Sequence, residues 1–353
     1  MAPIDSARAR DIPDDQPLTP PGEAAQGEAP AAPPVQRGLR NGLVLGGLAL
    51  VGIVALNARD LAGLGTVLAA FPLALAASLT SHLPQLVFTG LAWLALLPRA
   101  ERPGFGRIFL LRWYREACDS LVPAGAVVGQ AAVTRLMIRD GMPGDLAAGT
   151  ATLGITLEAV SQTLFTLIGL ATFLALGHGT QAGGFWVGAA VAAFTAFALV
   201  ALQRPWALGL LRRVLERLAR RWPRLQPVWL DRFQASILRL HEDRRALALS
   251  TLAHLGSWMM GAVEMFLLLH IIGFPVTFAE ALVIESFAQV IRSAGFLLPG
   301  AALIQEGAIV AAGALIGVPP ATALNAALIR RTREILVGLS GLVAWRRDEA
   351  RQA

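Results

Sequence analysis

Ionisable side chains sit inside stretches of this chain that are otherwise strongly apolar. One stretch carries Arg112, Arg115, Glu116 and Asp119, then Gln130 and Arg135; another carries Glu285, Gln289 and Arg292, then Gln305 and Glu306. Glu158 and Gln162, the group Arg330, Arg331, Arg333 and Glu334, and Glu264 stand in further apolar runs. Steps of three and four residues place Arg112, Arg115, Glu116 and Asp119 on one helical face. The same spacing unites Glu285, Gln289 and Arg292, and again Arg330, Arg333 and Glu334. A charge at bilayer depth costs about 2.5–3.5 kcal/mol on insertion scales, so such groups pair with one another or line a polar cavity. Mixed signs on shared faces predict a self-neutralised lining able to hydrogen-bond a polar head group. Ion pairs that only glue helices together are the competing reading. The candidate substrate-binding set is Arg112, Arg115, Glu116, Gln130, Glu158, Glu285, Arg292, Gln305, Glu306, Arg333 and Glu334. Within it, Glu158, Glu306 and Glu334 are the candidate proton carriers.

Several other chemistries are excluded by residue type. All thirty basic residues are Arg, which removes the phosphate-gripping lysine of a Walker A loop and every Schiff-base mechanism. A lone Cys118 supports neither a disulfide framework nor a zinc site built on paired cysteines. The apolar runs hold no aspartate-rich diphosphate–magnesium motif, no His/Asp pair at ligand spacing and no Gly-x-Ser-x-Gly turn. No metal, no cofactor and no enzymatic step is expected. His82, His254 and His270 are read as packing or interface histidines.

Positioning these groups requires a membrane scaffold. The chain is 55% apolar and 15% charged, against about 45–50% and 25% in soluble domains, so its main solvent is lipid. Apolar runs at about 39–56, 66–97, 146–176, 185–202, 247–272 and 321–345 are each near or above the roughly 20 residues a span needs. The second is overlong and holds Pro72 and Pro84, which predicts tilt or a kink. Residues 107–140 and 278–316 differ: each is broken midway, at Pro123-Ala-Gly125 and at Pro299-Gly300, into halves too short to cross. These read as re-entrant hairpins with Pro123, Gly125, Pro299 and Gly300 at their tips; two ordinary spans with proline kinks are the alternative. The expected architecture is all-α, a polytopic membrane protein of about six full spans plus two re-entrant hairpins.

Around this domain, residues 37–347, lie a Pro/Ala-rich tail (1–36) expected to be disordered and a short tail at 348–353. The Arg-rich segment 204–245 suits a helix lying on an anionic leaflet or, alternatively, a connecting loop that fixes topology. Basic charge of this kind, tethered between spans, favours a membrane surface over nucleic acid. Arg-rich loops facing inward put both termini in the cytoplasm.

A repeat adds the most specific signal. Leu-Val-Pro123 matches Leu-Leu-Pro299, an offset of 176. At the same offset, without gaps, Gln130 faces Glu306, Gly141 faces Gly317, Pro143 faces Pro319, Thr156 faces Thr332 and Glu158 faces Glu334. Repeat one (about 107–176) and repeat two (about 278–347) each read as a broken hairpin, a Gly-x-Pro turn and a full span. The loop charges place one hairpin entering from each side, so the repeats are inverted, as in transporters with a midplane site.

The final stretch, ESFAQVIRSAGFLLPGAALIQEGAIVAAGALIGVPPATALNAALIRRTREILVGLSGLVAW, resembles the end of the lysylphosphatidylglycerol synthase transmembrane, or flippase-like, family, in which a Pro-Gly tip precedes a motif here written Gln305-Glu306-Gly307. SLVPAGAVVGQAAVTRLMIRDGMPGDLAAGTATLGITLE is similar to that family's first hairpin, where the family often has Gly-Glu in place of Gly129-Gln130. The wording SAGFLLPG…QEG…RRTRE is especially similar to a hopanoid-biosynthesis-associated branch of that family. The resemblance implies a bacterial inner-membrane protein that moves hopanoids or related lipids; anionic phospholipid is the other lipid partner considered, and hopanoid-biosynthesis proteins are possible partners. No soluble aminoacyl-transfer domain follows the last run in this sequence, so a lysyl-transferring enzyme is not expected. A transporter leads, followed by a non-transporting scaffold for lipid-biosynthesis enzymes, then an intramembrane lipid-modifying enzyme.

Overall fold

Helix ends in this protein are set by local chemistry that recurs along the chain. The computed structural model describes residues 61–122, 125–177, scattered positions between 186 and 213, 228–295 and 301–352. Among them are nine α-helices and no strand: α1 (Leu61–Leu96), α2 (Phe105–Leu121), α3 (Gly125–Arg139), α4 (Gly144–Ala175), α5 (Val228–Glu242), α6 (Arg244–Ile271), α7 (Phe278–Gly295), α8 (Ala301–Ala314) and α9 (Pro320–Gln352). The 1–36 tail, the run at 39–56, most of 185–227, and Pro123, Pro299 and Gly300 lie outside the described residues.

The offset of 176 reappears as backbone geometry. α3 and α8 begin at Gly125 and Ala301, and α4 and α9 at Gly144 and Pro320. Gly141 and Gly317 both adopt positive φ (97° and 80°), a conformation glycine enters without the Cβ penalty. Each ends its helix in a Schellman turn. Met142 N–H donates to Met137 O at 3.0 Å and Val318 N–H to Gly313 O at 2.9 Å; Ala147 N–H to Pro143 O and Ala323 N–H to Pro319 O then start the next helices.

The correspondence extends one helix upstream of the expected repeat. The apolar part of α1, Leu68–Leu96, lies 176 residues before α6, and Leu97 N–H to Leu94 O matches Gly273 N–H to His270 O. Packing obeys the same exchange. α2 packs on α9 as α7 packs on α4, α9 touches α1 as α4 touches α6, and α2–α3, α1–α2 and α3–α4 match α7–α8, α6–α7 and α8–α9. The repeats are thus the four-helix sets α1–α4 and α6–α9.

At their junction, Phe88 lies beside Gly256, Gln85 O accepts from Ser257 Oγ at 3.3 Å, and Ser78 meets Glu264. Falling numbers on α1 meet rising numbers on α6, so these equivalent helices run antiparallel.

Among the described residues, three helices are long and apolar enough to cross a membrane: Leu68–Leu96, Gly144–Ala175 and Arg244–Ile271. They carry exposed leucines such as Leu73, Leu83, Leu167 and Leu252, the outward apolar surface of a lipid-facing helix. The described residues therefore supply three such helices where the sequence predicts about six spans. α9 is 33 residues long, but the charges from Arg330 to Glu334 and from Arg346 to Glu349 keep it out of that class. α1 runs through Pro72 and Pro84 as one helix. The halves of the two broken segments have 17, 15, 18 and 14 residues. At 1.5 Å per residue they span roughly 21–27 Å, short of a hydrocarbon core of about 30 Å.

Close backbone approach holds the first hairpin. A Cβ on Gly125 would sit 2.0 Å from Cys118 O, and one on Gly129 3.0 Å from Arg115 O. Gly338 and Gly341 do the same for α9, where a Cβ would press Leu121 at 2.8 Å and Ala117 at 2.9 Å.

Two boundaries differ from the sequence reading. The described end of the basic segment is α5, which packs Ser236 and Leu240 beside Gly149 of α4 and buries Ile237, while Leu238 stays exposed. α9 continues past residue 347 because its end has partners: Asp348 pairs with Arg107 (2.6 Å) and Arg139 (3.6 Å), and Glu349 with Arg135 (2.6 Å).

Candidate functional site

Capping chemistry fixes the helices that carry the buried charges. Asp243 caps α6 by accepting from Ala246 N–H at 2.9 Å. Thr277 and Glu280 form a reciprocal capping box at α7, with Thr277 N–H to Glu280 Oε2 at 2.6 Å and Glu280 N–H to Thr277 Oγ1 at 3.2 Å. From these helices and from α1, α2, α4 and α9, polar side chains converge on one cleft astride the α1–α6 contact. Its enclosed space is about 100 Å³, and it widens into an open mouth.

Four arginines (Arg112, Arg115, Arg330 and Arg333) and six carboxylates (Glu116, Asp119, Glu158, Glu264, Glu285 and Glu334) line it. That near balance solvates a polar group without the strong field of one sign.

The second repeat supplies the densest network. Glu264, 1% exposed, accepts from Ser78 Oγ and from Gln85 Nε2 at 3.2 Å, and lies 3.3 Å from Arg333 Nη2 and 3.6 Å from Arg330 Nε. Glu285, equally buried, receives Arg330 Nη1 at 2.7 Å and Gln289 Nε2 at 2.6 Å. Gly261 makes room for it: a Cβ there would meet the Glu285 carboxylate at 3.0 Å, and Gly261 O accepts from Arg330 Nη2 at 3.3 Å. Arg331 faces another way, to Glu306 at 2.9 Å and Glu334 at 3.0 Å. Buried ions are tolerated where each has such partners.

The first repeat is more sparsely paired. Arg115 Nη2 lies 2.9 Å from Glu158 Oε2. Arg333 Nη1 donates to His82 Nδ1 at 2.8 Å. A guanidinium only donates, so Nδ1 must accept and the neutral ring carries its hydrogen on Nε2, 3.8 Å from Glu116 Oε1.

Of the residues selected from sequence, Arg112, Arg115, Glu116, Glu158, Glu285, Arg333 and Glu334 share this cleft. Gln130 lines an adjoining recess, and Glu306 reaches the network through Arg331. Arg292 and Gln305 lie on α7 and α8, with side chains outside the described residues. Gln85 and Ser78 were missed, and His82 and His254, read from sequence as packing or interface histidines, both line the cleft. An i, i+3 pair of polar residues, His82 and Gln85, within an apolar run was the available signal. Glu264 and Arg330 were visible as misplaced charges but were left out of the set.

No curated protein and no solved structure matches this chain. The family described as the lysylphosphatidylglycerol synthase TM region matches residues 42–341. That range takes in the first repeat, the second as far as Gly341 in α9, and every residue lining the cleft, and it marks the chain as a multi-pass membrane protein of a lipid-related family. The chain belongs to the lysylphosphatidylglycerol synthase transmembrane-region family.

Proposed function

We propose that this protein is a flippase-like transporter that moves a polar lipid between leaflets, its head group passing through the cleft while its tails stay in the bilayer. One observation carries this reading: buried charged side chains from both repeats meet in a single cleft, beside antiparallel equivalent helices. Two units of opposite direction around a central polar site is the plan of alternating-access carriers, and here it accompanies short paired helices at residues 105–139 and 278–314. Hopanoids or related polar lipids are the proposed cargo, by the resemblance of the second hairpin, and the bacterial inner membrane the proposed site. No bond-making step is assigned. Transport would run downhill or be ion-coupled, with Glu158, Glu306 and Glu334 as proton carriers.

The test reconstitutes the full chain in vesicles carrying a fluorescent polar lipid in both leaflets and quenches the outer leaflet. Vesicles with the protein should lose the protected inner-leaflet signal, and Arg333→Gln should slow that loss about tenfold or more. In cells, deletion should shift hopanoid distribution between inner and outer membranes. Scrambling no faster than in protein-free vesicles, together with an unchanged distribution in the deletion strain, would overturn the proposal.

A further inference from the structure

A second, smaller recess opens beside the cleft, sharing Thr89, Arg112, Arg115 and His254 with it. Its lining has a different character, because no carboxylate is among the described residues that form it. Three buried nitrogen donors of its lining residues have no hydrogen-bond acceptor among the described residues: Trp93 Nε1, Arg112 Nε and Arg115 Nε. Trp93 is 4% exposed and Arg115 9%, so bulk water does not satisfy them. Leaving a buried donor unmade costs about 1–3 kcal/mol, more where the group is charged. Three such donors around one recess therefore mark the place of an acceptor-rich occupant. Gln130 and Thr89 add neutral polar groups to the wall. Glu116 and Asp119, the other acids near Arg112, line the larger cleft but not this recess.

We infer that this recess is an anion subsite that binds phosphate-type oxygens of a lipid head group through Arg112, Arg115 and Trp93. Two guanidiniums and an indole N–H make charge-assisted and neutral hydrogen bonds to one oxyanion group, the pattern arginine forks favour. The ion pair of Arg115 with Glu158 at 2.9 Å orients that arginine and leaves its Nε for the ligand. Among the described residues Arg112 has no ion pair within salt-bridge distance, so its charge is offered to the occupant. The subsite rests on the transport reading for its lipid source, but binding and transport are separate measurements.

Binding is read by native mass spectrometry of the full chain in maltoside micelles. The probes are dioleoyl-phosphatidylglycerol, dioleoylglycerol with the same tails, and inorganic phosphate. Phosphatidylglycerol should bind at least about tenfold more tightly than dioleoylglycerol, and Arg112→Gln should remove about that factor. Arg112→Lys should restore part of it, and Trp93→Phe, which keeps the ring and removes only the N–H, should cost several-fold. Competition by millimolar inorganic phosphate supports the oxyanion chemistry. Equal binding of the two lipids, with inorganic phosphate alone lost in Arg112→Gln, supports the anion site but overturns its lipid source. Equal binding of the two lipids with no phosphate effect, or wild-type binding by both Arg112→Gln and Trp93→Phe, overturns the subsite. Wild-type protein that binds as expected yet fails to scramble lipid overturns the transport reading and leaves the subsite standing.

Discussion

The two four-helix repeats share their backbone turns and differ in their charges. Helix starts, positive-φ glycines and turn hydrogen bonds coincide at an offset of 176. Yet Glu264 stands where the first repeat has Phe88, Glu285 where it has Phe109, and Arg333 where it has Leu157. Backbone geometry is the duplicated part; each repeat sends five charged side chains to the cleft, but most from positions its counterpart leaves uncharged, and those of the second repeat are the more densely paired. A scaffold can be repeated because its turns need only glycine and proline, whereas a buried charge needs specific partners on several helices at once.

Four measurements would break or sharpen that contrast. The largest effect is expected at Glu264→Ala, which removes the carboxylate shared by Arg333 and Arg330 and leaves Arg333 only His82 and the more distant Glu334, and should destabilise the protein by about 3–5 kcal/mol in thermal unfolding in detergent. Glu158→Ala in the first repeat should cost less than half as much, because its side chain is 24% exposed against 1% for Glu264. Equal losses would erase the asymmetry.

Next, a double-mutant cycle of Glu285→Gln and Arg330→Gln should show a coupling of about 1–3 kcal/mol; additive losses would mean the pair at 2.7 Å does not hold α7 to α9. Third, Gly141→Ala and Gly317→Ala should each cost about 1–2 kcal/mol, and by the same amount, since both need positive φ and both have open space around Cβ. Unequal costs would argue that the two turns are not equivalent. The smallest effect is expected at Arg135→Ala. That side chain is 69% exposed against Glu349, so its loss should stay below about 1 kcal/mol and shrink further with added salt.

The repeat was legible in the sequence because its markers are rare residues. Pro123, Gly141 and Glu158 with their counterparts are visible without any contact information. The charged faces were legible for the same reason: an arginine in an apolar run stands out. Ser78 and Gln85 were not, because in a run otherwise fit to face lipid a small or neutral polar residue is unremarked until α6 is placed against it, and His82 was read only as a packing or interface histidine. That antiparallel contact joins residues 186 positions apart, as in Ser78 and Glu264. The end of α9 was misjudged on similar grounds. Asp348 and Glu349 resemble a solvated tail, and the arginines that hold them, Arg107 and Arg135, lie 241 and 214 residues away. Helical spacing also put Arg330 and Arg333 on one stripe with Glu334, but it gave Arg331 no role. With neighbours on several sides of α9, the stripe is wider than one face.

That crowding on α9 has a mechanical consequence. Within one turn, Arg330, Arg331 and Arg333 grip Glu285 on α7, Glu264 on α6, Glu306 on α8 and His82 on α1. Spinning α9 about its axis, or sliding it by a single residue's rise, would tear several of these grips together. The helix therefore behaves like a spindle keyed to four others, and any rearrangement must carry that assembly as a block.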